Sequence, residues 1–136
     1  MPDLTNTNPV TEMPAADPDT ARAHFESLLR FETDCWDVHA ALASGRPGFL
    51  LVDVRTPELF RKGYVAGAVN IPRGRLNERN LEHYASETLF VVYCTGPHCN
   101  GADKAAAQLA RLGRPVKKMI GGIEGWKDEG FALTTG

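Results

Sequence analysis

The sequence predicts an α/β domain built on a central, mostly parallel sheet of about five strands with helices on both faces. Three observations carry this reading. Two short apolar runs, GFLLVDVR at 48–55 and TLFVVYC at 88–94, are continuous rather than alternating, the pattern of strands buried on both faces. The segments between strands show helical spacing of apolar residues with proline starts and glycine stops. A chain of 136 residues is long enough for one compact core and too short for two ordinary domains.

In chain order, residues 1–16 are rich in Pro, Thr, Asn and Asp and are expected to form a disordered tail. They lack a basic start followed by an apolar core, so they do not read as a secretory signal. Asp17 and Pro18 supply an N-cap and a first-turn proline for a helix over about 18–30, with Ala21, Phe25, Leu28 and Leu29 at helical spacing. Phe31 to Thr33 reads as a brief strand, after which Asp34 and Asp37 form a capping pair for a helix that ends at Gly45. The run 48–55 is the first buried strand, bounded by Pro47 and Pro57. Pro57 opens PELFRK as a short helix stopped by Gly63, and VAGAVNIP, 65–72, is a short strand.

Residues 75–86 permit a helix with weak periodicity. The run 88–94 then delivers Cys94 to the C-terminal end of a strand, the edge of a parallel α/β sheet where ligands bind. Asn100 is placed as the N-cap of the next helix with Asp103 at its third position, and Ala102, Ala105, Ala106, Leu109 and Leu112 form its buried stripe. Gly113 and Pro115 end that helix, VKKMI at 116–120 is a further strand, and Gly121-Gly122 turns the chain into a short helix carrying Trp126.

Composition narrows the function classes. Hydrophobic residues make up 43% and charged residues 24%, with a formal net charge of −2, as in a globular protein of mixed charge. No polybasic run suggests nucleic acid or an anionic membrane as partner. The longest apolar stretches, FLLV and LFVVY, fall far below the roughly 20 residues that span a bilayer. Three cysteines is an odd number in a chain with no sign of export, so reduced thiols in a cytoplasm are expected.

The stretch YCTGPHCNGADKAA, 93–106, carries the chemistry. A loop joining a strand end to a helix start points free backbone N–H groups inward, and the helix dipole adds partial positive charge. Such a cradle is expected to shift Cys94 from an ordinary pKa of about 8.5 toward thiolate, the form that attacks sulfur or phosphorus centres. Gly96, Pro97 and Gly101 suit the tight turns it needs. The alternatives at this point are a small core cysteine, half of a redox pair with Cys99, and a metal ligand. Zinc is disfavoured because Cys94, His98 and Cys99 are crowded together with no second ligand cluster, so no metal and no cofactor are expected.

The order LVDVR (51–55), Glu58-x-Phe60, GYVAGAVNIP (63–72), VVYC (91–94), an alanine-rich helix and GGIEGW (121–126) resembles a single-domain rhodanese, or rhodanese-like sulfurtransferase. The resemblance covers about 31–133, and it makes 17–136 a rhodanese-like domain that includes the helix at about 18–30. It implies an enzyme of the thiosulfate sulfurtransferase type in which Cys94 takes sulfane sulfur as a persulfide. Thr95, Gly96, Pro97, His98, Cys99, Asn100 and Gly101 would form the substrate-binding loop. Asp53 and Arg55 match the family's strand end and are read as bracing the loops around the site. The implied partners are a small sulfur-containing donor, such as thiosulfate, or a protein sulfur donor, and a thiol or cyanide acceptor; the chain would act as monomer or homodimer.

Several residues depart from the family pattern. Tyr64 and Ala66 stand where the family often has His and Pro. The loop TGPHCN carries no Arg or Lys, so Arg73 and Arg75 are candidates for an anion-binding rim outside it. The longer loop resembles that of the related cell-cycle phosphatases, but their C-x5-R arginine is replaced by Asn100, which disfavours phosphoryl transfer. Cys99 reads either as a small residue closing the loop or as a second thiol able to attack a Cys94 persulfide or close a disulfide. The missing loop cations also leave open a sulfur-relay or binding module with little turnover alone. Trp126 and Phe131 are read as core closure, and Cys35, Trp36, His24, His39 and His83 as packing or surface residues.

Overall fold

A computed structural model describes residues 4–136; residues 1–3 of the expected tail lie outside the described residues. Contacts divide the chain into two units, separated between Arg30 and Phe31. In the first, α1 (Pro9–Glu12) is a single turn inside the stretch expected to be disordered. It is held by a reciprocal capping box between Asn8 and Thr11. Helix α2 (Pro18–Leu28) starts as expected, with the Asp17 carboxylate accepting from the Thr20 N–H at 3.1 Å and from its hydroxyl at 2.6 Å. Neither helix has a buried residue.

The second unit is an α/β sandwich in three layers. Its five strands are β1 (Glu32–Thr33), β2 (Leu50–Asp53), β3 (Val69–Asn70), β4 (Phe90–Tyr93) and β5 (Val116–Met119). They form one parallel sheet in the order β1-β5-β4-β2-β3. The strands are shorter than their apolar runs because Gly48, Pro72 and Cys94 lie where the chain leaves the ladder. Between them run α3 (Cys35–Ala43), α4 (Pro57–Lys62), α5 (Glu78–Leu81) and α6 (Gly101–Arg111), and α7 (Gly122–Asp128) follows β5. The helix-permissive stretch 75–86 is not one helix. A 3-10 turn at Arg73–Arg75 precedes α5, and Asn77 caps the break by accepting from the Asn80 N–H at 2.8 Å.

The continuous apolar runs have a simple physical origin. Strand side chains alternate between faces, and both faces of this sheet are covered. Leu51, Val91, Tyr93 and Met119 point to one core with Cys35 and Val38 of α3 and Ile123 and Trp126 of α7. Val52, Phe90 and Val92 point to the other, with Leu81 of α5 and Ala102, Ala105 and Leu109 of α6. Trp126 closes the first core, its indole N–H donating to the Ala132 carbonyl at 3.0 Å and its ring set edge-on against Phe131. No described helix is long and apolar enough to cross a membrane.

Candidate active site

The site is built where β4 ends. Cys94 follows Tyr93 in the alternation, packs against the Val52/Val92 core and is half-buried, while Cys99 is exposed. The intervening loop turns back on itself through the Cys99 N–H, which donates to the Gly96 carbonyl at 3.1 Å. The first turn of α7 then grips the loop: the Ile123 and Glu124 N–H groups donate to the carbonyls of Cys94 and Thr95 at 3.1 and 2.8 Å. Orphan donors at the start of one helix thereby fix the Cys94 loop that precedes another.

Two glycines make this approach possible. Gly122 has φ +57, and a Cβ there would overlap the Cys94 carbonyl oxygen. At Gly101 a Cβ would lie 2.9 Å from the Cys94 Sγ and 3.4 Å from the Cys99 Sγ. The Gly101 N–H donates to the Cys99 Sγ at 3.4 Å. Asn100 occupies the N-cap position of α6, but its backbone is not extended and its side chain makes no capping bond. The expected Asn100 cap is therefore corrected: the sulfur of Cys99 receives the N–H at the helix entrance, and Asp103 is engaged elsewhere.

Cys94, Cys99, Gly96 and Pro97 open onto a cavity of about 150 Å³, closed on the far side by Met119 to Gly122 and by Lys118 and Asp103. His98 and Asn100 are exposed and do not line it. Lys118 carries the only positive charge among its described lining residues, and its Nζ pairs with the Asp103 Oδ1 at 2.9 Å. The anion rim expected at Arg73 and Arg75 needs correction in part. Arg75 lines a separate depression with Pro57, Asn80 and Tyr84, because the 3-10 turn carries it away from the Cys94 cavity. Arg73 acts on the Cys99 side, where its charge helps favour the thiolate.

The electrostatics of the thiols also differ from expectation. Burial, and then the Cys94 thiol's own donation toward the Cys99 sulfur, hold Cys94 above its ordinary range; the Thr95 N–H and hydroxyl oppose this and do not overcome it. Cys99 lies below its ordinary range, through the same shared hydrogen bond and the Gly101 N–H. Of the two neighbouring thiols, the outer one, Cys99, is therefore the first to lose its proton. Burial likewise pushes Cys35 up to about 11. Its Sγ faces the Ile120 and Gly122 carbonyls at 3.5 and 3.7 Å, so it supports the glycine turn from the opposite core.

Asp53 and Arg55 lie beneath the site. The guanidinium meets the carboxylate through Nε at 3.0 and 3.1 Å and Nη2 at 2.7 Å, and Nη2 also donates to the Gly63 carbonyl at 2.6 Å. Burial works against the arginine's charge, but the hydrogen bonds and charge of Asp53 outweigh it and raise its pKa. The Asn70 amide ties the Asp53 and Arg55 carbonyls to β3, each at 3.0 Å. The Tyr93 hydroxyl accepts from the Val65 N–H at 3.2 Å, and burial raises its pKa strongly. Neither charged side chain lines the cavity; the pair ties the end of β2 to the Gly63 carbonyl.

Reading the sequence missed Lys118. Strand alternation contained the signal: with Met119 facing the α3 and α7 core, Lys118 must face α6, beside Asp103. Among the described residues, no group of three or more His, Cys, Asp or Glu side chains could hold a metal ion.

Residues 37–129 match the family model described as Rhodanese-like domain. The chain is 38% identical to the BH2092 protein from Bacillus halodurans, whose crystal structure superposes with a TM-score of 0.84, covering 88% of this chain and 87% of that one. A thiosulfate sulfurtransferase, GlpE, from Pseudomonas entomophila is 33% identical over 64% of this chain and 78% of its own length. The HTH-type transcriptional regulator Rv0324 from Mycobacterium tuberculosis is 35% identical over 63% of this chain, but the match spans only 38% of that protein.

Proposed function

The chain belongs to the rhodanese-like domain family, and on that premise we propose that it is a sulfurtransferase that carries sulfane sulfur as a persulfide on Cys94. One observation supports this above the others: Cys94 stands just past the C-terminal end of β4 and lines a cavity at the start of α6. The volume suits a small sulfur oxyanion rather than a bulky substrate. The thiolate attacks the outer sulfur of a donor such as thiosulfate, the sulfur–sulfur bond breaks and sulfite leaves with the electron pair; a thiol, cyanide or a protein then accepts the sulfur. For attack, the Cys94 proton passes to the neighbouring Cys99 sulfur, which is held below its ordinary range, or to solvent. No cofactor enters this cycle, and the unpaired cysteines suit a reducing compartment such as the cytoplasm.

Mixing the reduced protein with thiosulfate should release sulfite, and Cys94→Ser should release none. Equal release from both proteins would end the reading. The half-exposed Lys118 is the group placed to meet the donor's negative end. Lys118→Met is expected to raise KM for thiosulfate about tenfold, the loss of one charge-assisted hydrogen bond, with kcat little changed. Asp103→Asn, which frees Lys118 from its partner, should lower KM. A second reading, a sulfur-relay module with little turnover alone, is favoured by the loop's lack of Arg or Lys; brisk thiosulfate turnover with cyanide would count against it.

A further inference from the structure

Three observations set Cys99 apart from a residue that merely closes a loop. It shares the cavity with Cys94. A single point, where a side chain on Gly101 would begin, lies 2.9 Å from one sulfur and 3.4 Å from the other, so the glycine leaves room for both sulfurs at the start of α6. The Gly96 turn and the Gly101 N–H hold Cys99 in that position. The third thiol, Cys35, is buried in the opposite core and bonded to backbone carbonyls, so it does not compete.

We propose that Cys99 is the resolving thiol of the site: it attacks the Cys94 Sγ of the persulfide, expels the sulfane sulfur as hydrosulfide and closes a Cys94–Cys99 disulfide. This inference rests on persulfide formation at Cys94. In the step, the Sγ–Sγ bond forms as the bond from Cys94 Sγ to the outer sulfur breaks, and hydrosulfide leaves with the electron pair and a proton from the thiol pair or solvent. The sulfane sulfur is reduced and two thiols are oxidised. An external dithiol reductant reopens the disulfide by exchange. Attack on the outer sulfur instead would expel the Cys94 thiolate. Thiol exchange favours the less basic leaving group, and Cys94 is held above its ordinary range while Cys99 is held below it as the attacking thiolate. With thiosulfate as donor, the protein would therefore generate sulfide and sulfite at the expense of a dithiol.

The test uses the reduced full-length chain and thiosulfate with no added thiol. Wild type should release one equivalent each of sulfite and hydrosulfide and end lighter by two hydrogen atoms. Cys99→Ser, at whatever rate it releases sulfite, should release no hydrosulfide and end heavier by one sulfur atom until a small thiol is added. A wild type that keeps the extra sulfur as long as the variant would overturn the proposal, as would an extra sulfur mapped to Cys99. Should neither protein release sulfite, the sulfurtransferase reading has failed on its own, and a peroxide arm then judges Cys99 separately. Peroxide converts either thiol of the pair to a sulfenic acid, which the other should capture as the same disulfide with loss of water, while Cys99→Ser, left with Cys94 alone, proceeds to the sulfinic acid. Sulfinic acid in wild type would overturn the resolving role.

Discussion

Arg55→Ala is expected to lower stability by about 3–5 kcal/mol, because it leaves the Asp53 carboxylate buried without its counter-charge. For a unit of this size that corresponds to a fall in Tm on the order of 10 °C. Asp53 is fully buried, and Arg55 supplies three of its hydrogen bonds through the guanidinium and a fourth, at 2.9 Å, through its own N–H. Removing the side chain also orphans the Gly63 carbonyl. Because the loss comes mostly from stranding a charge, Asp53→Asn combined with Arg55→Met should cost clearly less than the sum of the single variants. Thermal melts over this double-mutant cycle measure the coupling. Additive losses would show that the pair does not act as a unit.

Gly122→Ala should damage function more than stability. A non-glycine residue at φ +57 carries about 1–3 kcal/mol of strain, and the new Cβ would overlap the Cys94 carbonyl oxygen. That oxygen accepts from Ile123, so relieving the overlap must push the Cys94 loop away from α7. A displacement of the reacting atom on the scale of 1 Å costs about 100-fold in rate. Thiosulfate turnover is therefore expected to fall about that much at temperatures where the variant is still folded. Gly113→Ala is the control. It has φ +78 but open space around its Cβ position, so it should show the strain in its melting temperature and leave turnover unchanged. Equal turnover in both variants would show that the α7 turn does not position Cys94.

The order of elements was legible because it is written locally. Pro57 and Gly63 bracket α4 at the residues expected, and the α6 stripe buries Ala102, Ala105 and Leu109 with Ala106 and Leu112 at its margin. Where the reading slipped, a neighbour outside the segment decided the outcome. Asn100 is a good cap by residue type, but the loop enters α6 in a near-helical conformation that turns its side chain away from the free N–H groups. Arg75 looked like a rim residue because it follows NIP closely. The 3-10 turn between β3 and α5 points it to another depression.

By itself, the sequence determined an α/β unit with two doubly buried strands, a cysteine at the end of one of them, and glycines on both sides of the loop that follows. Those features depend on periodicity, caps and breakers within a few residues of each other. Only the tertiary structure decided the sheet order, the arrival of Lys118 and Asp103 at the cavity, and the grip of Ile123 and Glu124 on the loop. It also decided that Cys99 faces Cys94 and that burial raises the inner thiol rather than lowering it. These depend on distances through space between residues far apart in the chain, and on how much water each sulfur keeps once both sheet faces are covered.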